Sequence, residues 1–361
     1  MNKYKFFRLL YKLHKITKFS PTIISKFKKK LDKPQTMMIH PNYECNFRCK
    51  YCYVEENNDC LSYSKLVKTI YEAKKLGVGN VDILGGEPLL YNNFVRLVNQ
   101  IIRLKMQVTV FTNGSLITPD LLKKLNRKFV TFAIKTDTPE NYDYQNSPDM
   151  SYDDLIEKIK LLKNHNYKIM SFSVITNKNV KNVDEILKLC DKYGMTPAFE
   201  RYHPVKDEQI NKEFSLNPKD WNSFLTALDD YWSEKGKKDF IKFYGDSMGG
   251  LCSALSNNIT LMQDGTVKPC PEAHNDLSYG NVNDKSLIDI WKISRKLRQQ
   301  LMKTPDECGS CLSANQCHGG CKVYTYQKYK TINKRDPLCI GVHNPNYSHC
   351  GFGIMRIYDK K

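Results

Sequence analysis

The stretch "TMMIHPNYECNFRCKYCY", residues 36–53, decides how the rest of this 361-residue chain is understood. "TMMIHP" has the apolar character of a buried strand, and it delivers a loop in which Cys45, Cys49 and Cys52 are separated by three residues and then by two. Disulfides cannot use three thiols evenly, and a structural zinc needs a fourth ligand nearby. The spacing therefore asks for a three-coordinate metal site with one position left open. Three thiolates can hold three irons of a [4Fe–4S] cube and leave the fourth iron for an outside ligand. Zinc, or cysteines gathered without a metal, are the competing explanations.

Outward from the loop, the composition is that of a globular protein, with 41% hydrophobic and 26% charged residues. The length suits one large domain and a smaller one. No apolar run reaches the roughly 18 residues of a membrane span, and lysines interrupt the N-terminal apolar positions, so neither a transmembrane helix nor a secretory signal is expected. Thirteen cysteines without an export signal point to metal binding or thiol chemistry in a reducing cytoplasm. Residues 1–34 hold eleven Lys/Arg against Asp32 alone and so supply +10 of the net +18. Within them "KYKFFRLLYKLHKITKF" puts Phe6, Leu9, Leu10, Leu13 and Ile16 near one helical face. Such a helix either lies on an anionic membrane surface or an acidic partner, or packs on the body of its own chain.

From residue 36 strands and helices alternate. Helices are expected over "SYSKLVKTIYEAKKLG" (Ser62 or Ser64 as N-cap, Gly77 as stop), "NNFVRLVNQIIRLK", "PDLLKKLN", "SYDDLIEKIKLLKNH" and "NVDEILKLCDKYG". Between them run the strands "NVDILGG", "QVTVFTNG", "KFVTFAIKTD", "KIMSFSVIT" and "TPAFERYH". Six β/α units predict an α/β fold, a partial (β/α)6 TIM-like barrel with its chemistry at the C-terminal strand ends. The expected organisation is a basic amphipathic extension (1–35), the barrel (36–215), a bridging helix (216–245) and a small cysteine-rich domain (246–361). In the last, Asp264-Gly265 signals a hairpin, and so short a module needs metal to hold it together.

The C-x3-C-x-aromatic-C pattern of Cys45, Cys49, Tyr51 and Cys52 resembles the signature of the radical S-adenosylmethionine (SAM) superfamily. The resemblance implies that SAM chelates the open iron and that Tyr51 lies beside its adenine. Gly85-Gly86-Glu87-Pro88 resembles the family's site for the SAM amino group, its glycines letting the backbone approach the ammonium. Thr112-Asn113-Gly114 matches a tripeptide common at the third strand, and is also an ordinary Asn-Gly turn. Lys135 and Asp137 fall where the family contacts the SAM ribose or carboxylate, although Asp137-Thr138 stands where many relatives have Asp-Gly. Asp137 is the candidate catalytic base by analogy with sulfatase-maturing relatives. Ser173, Asn177 and Arg201 on the next two strands are further candidates, Arg201 for SAM.

The C-terminal order, Cys252, Gly265-x4-Cys270, "CGSCLSANQCHGGC" (308–321) and Cys339, resembles the SPASM domain, which holds auxiliary iron–sulfur clusters. The resemblance assigns Cys252, Cys270 and Cys321 to a first auxiliary [4Fe–4S] cluster lacking a fourth cysteine. It assigns Cys308, Cys311, Cys317 and Cys339 to a complete second one. Cys350 is either a remote ligand or a buried thiol, and Cys60 and Cys190 are expected not to ligate. The family resemblance implies an oxidoreductase that cleaves SAM reductively to a 5′-deoxyadenosyl radical and abstracts hydrogen from its substrate. An electron donor such as flavodoxin or ferredoxin is implied. The expected substrate is a peptide or protein, matured by crosslinking, thioether formation, epimerisation or dehydrogenation. A small molecule (sugar, nucleoside, cofactor or lipid precursor) is the alternative, since the extension is too short for the winged-helix peptide-recognition domain of many such enzymes. A zinc-containing nucleic-acid-binding protein is a third class. The charge suits it, but no finger, OB or RNA-binding signature accompanies the charge, so no specific nucleic acid is expected.

Overall fold

A computed structural model describes residues 33–54, 61–145, 150–204, 207–235, 258–311, 314–340 and 355–356. The expected basic helix, Cys60, Cys252 and Cys350 lie outside the described residues.

Six strands, β1 (Thr36–Ile39), β2 (Asn80–Ile83), β3 (Gln107–Thr112), β4 (Val130–Lys135), β5 (Lys168–Ile175) and β6 (Thr196–Arg201), pair in parallel in sequence order. Each link between neighbours holds one main helix: α1 (Tyr63–Leu76), α2 (Phe94–Arg103), α3 (Pro119–Lys123), α4 (Tyr152–Asn164) and α5 (Val183–Tyr193). The ends of α1 follow local chemistry. Ser62 Oγ accepts from Lys65 N–H, and Gly77 closes the helix at φ 109°, where a side chain would be strained. Ser151 and Asp154 form a reciprocal capping box on α4. Beyond β6, α6 (Glu208–Phe214) and α7 (Pro218–Glu234) are the next helices, α7 burying Trp221, Phe224 and Trp232.

Strand alternation divides the core in two. Met37, Ile39, Val81, Ile83, Val108 and Val110 face the helices and join their apolar sides in one large cluster. On the opposite face Met38, Leu84, Phe111, Ala133, Met170 and Ala198 form a separate cluster. This second face leads at its C-terminal edge to the cysteine loop.

The sheet does not end with the barrel. β7 (Asn258–Leu261) pairs parallel with β1, Thr36 against Asn258 through Ile39 against Leu261. β8 (Thr266–Lys268) turns back on β7 around Asp264-Gly265, with Gly265 at φ 89°, and β9 (Gly280–Asn281) pairs with β8 in turn. At the far edge β10 (Met355–Arg356) lies antiparallel to β6. The cysteine-rich module is therefore joined to the barrel by main-chain hydrogen bonds, and β1 is an interior strand flanked by β2 and β7. The remainder of the module is α8 (Leu287–Ile293), α9 (Arg295–Leu301), α10 (Ala314–Cys317) and α11 (Lys322–Tyr329).

Past β1 and β2 the two segments stay in contact. Gly86 N–H donates to Asn42 O (3.0 Å) and Glu87 N–H to Glu44 O (2.8 Å), so the turn after β2 carries the cysteine loop on its backbone. A Cβ at Gly86 would stand 2.3 Å from Glu44 O and 2.4 Å from Tyr43 O, and one at Gly85 2.3 Å from Asn42 O. The motif reading assigns these glycines to a ligand's ammonium; their immediate neighbour is the loop itself. Gly86→Ala is expected to displace that loop at a cost of about 1–3 kcal/mol, the usual penalty of overpacking. Thermal melts should show a drop of several degrees, with Gly79→Ala, where no heavy atom stands within 4 Å, as the silent control.

Candidate functional site

At the C-terminal edge of β1 the loop places Cys45, Cys49 and Cys52 together, with Cys52 N–H donating to Cys49 O (3.0 Å). Burial, opposed by the Phe47 N–H and reinforced by Glu87, Cys49 and Cys52, pushes the Cys45 thiol up to about 11. Burial likewise raises Cys49, against the pull of Lys135. Lys135, at the end of β4, is the cation that faces this group. Its Nζ lies 4.4 Å from the centre of the Tyr51 ring. Burial alone would lower the ammonium, but Tyr51, Cys49 and Cys52 outweigh it and hold Lys135 above its ordinary value. Tyr51 meets Phe214 edge to face at 5.4 Å and clusters with Tyr202, forming an aromatic wall beside the thiols.

The remaining residues expected to touch SAM are engaged with one another. Glu87 is almost fully buried, and its carboxylate accepts from Thr112 Oγ1 (2.7 Å), Asn113 N–H (2.9 Å) and Leu89 N–H (3.0 Å). Burial lifts its pKa to about 7 in spite of those three donors. Asn113 Nδ2 donates to Asn46 Oδ1 (3.0 Å), and Asn46 Nδ2 donates to Ser115 Oγ (2.9 Å). Glu87, Thr112 and Asn113 thus tie the turns after β2 and β3 to the cysteine loop. Asn42, Asn46 and Ser115 complete this support, and sequence reasoning does not single them out. Nothing but their place beside the motifs could have marked them.

Two of the expected site residues have partners outside the cysteine loop. Asp137 is buried and accepts from Thr138 N–H (2.8 Å) and, on both oxygens, from Asn179 Nδ2 (3.2 and 3.0 Å). Burial raises it to about 6, and its position makes it a fastener between the exits of β4 and β5. Arg201 belongs to the other face. Lys135 pairs with Phe172 and Phe172 with Ala198, so alternation places Glu200, not Arg201, on the side of Lys135. The Arg201 guanidinium instead forms a buried, two-pronged pair with Asp336 (NH1–Oδ1 3.1 Å, NH2–Oδ2 2.9 Å).

Glu200 faces Glu272, two residues beyond Cys270, and the two carboxyls act on one another electrostatically. Burial raises both above the ordinary carboxyl range. The Tyr53 hydroxyl is raised by burial, then by Glu272 and Glu200, with smaller contributions from Cys52 and Cys270. His40 packs its ring against Tyr53 (6.3 Å between centres), and neither of its ring nitrogens has a hydrogen-bond partner. Elements of barrel and cysteine-rich module therefore converge where β6 and β1 end.

In that module Cys308, Cys317 and Cys339 act on one another electrostatically, and Cys311 N–H donates to Cys308 O (3.0 Å). Burial lifts Cys308 to about 11, the neighbouring thiols adding to it. Lys322 is buried between this group and Cys321, its Nζ donating to Lys303 O (3.0 Å) and Ile332 O (3.1 Å). Soft thiols gathered in two places, each faced by a lysine ammonium, fit anionic thiolate-bound clusters. Cys190 lies in the core on α5, apart from both groups.

A family model described as the radical SAM superfamily matches residues 39–192, and the model of the SPASM iron–sulfur cluster-binding domain matches residues 252–318. The mycofactocin maturase MftC of Mycobacterium tuberculosis is 27% identical over 90% of this chain and 87% of its own length. The cysteine-type anaerobic sulfatase-maturating enzyme of Clostridium perfringens is 24% identical over 80% and 89%. Among solved structures, Streptococcus suis SuiB bound to precursor peptide SuiA superposes with a TM-score of 0.68 at 21% identity, over 88% of this chain and 79% of SuiB. Cysteine spacing, barrel topology and both family models agree, and the chain belongs to the radical SAM superfamily as a member with an SPASM domain.

Proposed function

We propose that this enzyme is a maturase of a ribosomally made peptide, modifying one of its residues oxidatively. The observation that carries this is the convergence of the SAM-site group (Cys52, Tyr53, Lys135) with Cys270 and Glu272 of the SPASM domain at one end of the sheet. A substrate held there lies within reach of both redox centres. Relatives whose names record maturation of mycofactocin or of a sulfatase, and a fold relative seen with its precursor peptide, support a peptide as the substrate.

The cluster and SAM, when bound, would supply reductive cleavage of SAM and hydrogen-atom abstraction from the substrate. The chain's own residues prepare for that chemistry. Cys45, Cys49 and Cys52 would hold the cluster, the Lys135 ammonium would pair with the SAM carboxylate, and Tyr51 would offer its ring to the adenine. The aromatic wall of Tyr51, Tyr202 and Phe214 keeps water from the reacting atoms. Flavodoxin or ferredoxin is the proposed electron source. Among the described residues no helix is long and apolar enough to cross a membrane. The basic segment 1–34 is proposed to rest on the anionic inner face of the membrane.

Anaerobically reconstituted protein is expected to hold about twelve irons, three [4Fe–4S] cubes. Given dithionite and SAM, it should shift the mass of a short peptide encoded beside its gene. Turnover of a sugar or nucleoside in place of every such peptide would overturn the assignment. Lys135→Met should raise the KM for SAM by about tenfold or more, the loss of one charge-assisted contact, while iron content holds. Pelleting with phosphatidylserine vesicles is expected to weaken when residues 1–34 are removed, and equal pelleting would end the membrane proposal.

A further inference from the structure

Arg201 stands in an unusual position. It comes from β6 of the barrel, faces away from the SAM site, and has no solvent access at its side chain, nor has Asp336. Besides its pair with Asp336, the guanidinium acts electrostatically on Cys321. It also lies 4.9 Å from the centre of the Tyr324 ring. Asp336 in turn connects the loops of both auxiliary-cluster ligand sets. Its Oδ2 accepts from Cys321 N–H (2.7 Å), its Oδ1 from Leu338 N–H (2.8 Å), and its carbonyl from Cys339 N–H (2.9 Å). The fit is close enough that a Cβ on Gly320 would stand 2.3 Å from Asp336 Cβ.

We infer that the Arg201–Asp336 pair sets the reduction potential of the auxiliary cluster ligated by Cys321, with Arg201 the positioning residue that couples the barrel to that cluster. The inference rests on the assignment of Cys321 as a cluster ligand. Hydrogen bonds to cluster sulfurs and nearby net charge are among the chief means by which a protein moves such a potential. A guanidinium held beside the ligating residue favours the more negative, reduced state, and Asp336 moderates that effect while fixing the guanidinium's direction. Lys322 is the second buried cation near Cys321, but its ammonium is directed to two carbonyl oxygens. Arg201 instead shares Asp336 Oδ2 with the Cys321 N–H, which fixes the guanidinium beside the ligand loop.

The test is a potentiometric titration of the reconstituted full-length enzyme monitored by EPR, with iron counted in every sample. Arg201→Gln is expected to lower the potential of one auxiliary signal, and Asp336→Asn to raise it. Arg201→Lys, which keeps the charge but not the fork, should shift the potential down by less than Arg201→Gln. A merely structural pair would not move the potential in opposite directions. Unmoved potentials at full iron content, or shifts of one sign in all three variants, would overturn the inference. Should the Gln and Asn variants lose their cluster, Arg201→Lys and the wild type decide it. Wild-type protein grown on 15N-arginine should show a nitrogen coupling to a reduced auxiliary cluster in pulsed EPR that is absent in Arg201→Lys, and no such coupling would refute the contact. A wild type without auxiliary iron would instead remove the cluster assignment itself.

Discussion

The site depends on how closely two backbones approach each other. Asn42–Glu44 lie against Gly85 and Gly86 with no room for a methyl group, and that contact decides where Cys45, Cys49 and Cys52 stand. Three thiols on a loop have no covalent bond to fix them, so the supporting shell must supply the rigidity. Here it is made of main-chain bonds from Gly86 and Glu87, a carboxylate with three donors, and the Asn113–Asn46–Ser115 chain. The carboxylate and amides of that shell satisfy one another, which lets so polar a support exist inside the protein.

Barrel and SPASM domain are joined in two physically different ways. The β1–β7 pairing is a main-chain contact, indifferent to side chains. The Arg201–Asp336 pair is the opposite, wholly a matter of two charges removed from water. Such pairs add little net stability over an apolar substitute, but losing one partner commonly costs about 3–5 kcal/mol because the other charge is stranded. The arrangement therefore enforces position more than it adds stability. Its neighbours are the ligand loops of Cys321 and Cys339, where small displacements matter most.

Much of this was legible in the sequence because it is local. The order of strands and helices, the Ser62 and Gly77 ends of α1, and the Asp264-Gly265 turn each reflect short-range preferences that the fold leaves intact. The cysteine motifs were legible for a chemical reason, since thiol spacing limits what can be bound. What escaped was non-local. Nothing near Asn258 says that its strand will lie beside Thr36. That Glu200 and not Arg201 shares the face of Lys135 follows only from counting across three paired strands, which charge alone does not give. Glu87, Thr112 and Asn113 carry the right motif, yet their polar atoms meet each other, which only the assembled turns reveal. Glu272 lay two residues from a recognised cysteine with no pattern to mark it.

The place of β1 between β2 and β7 also constrains how the chain can be made. β1 emerges early from the ribosome, carrying the cysteine loop, but one of its two partners is the strand beginning at Asn258. Until that strand is synthesised, β1 exposes an open edge, the feature most prone to mispairing with other chains. Long-range parallel pairing is also slow to form. Cluster insertion at Cys45, Cys49 and Cys52 thus faces a chain whose first strand is half-paired through most of translation. Completion of the C-terminal half is what shuts that edge, so the order of synthesis, and not the metal alone, sets when the active site becomes a stable place.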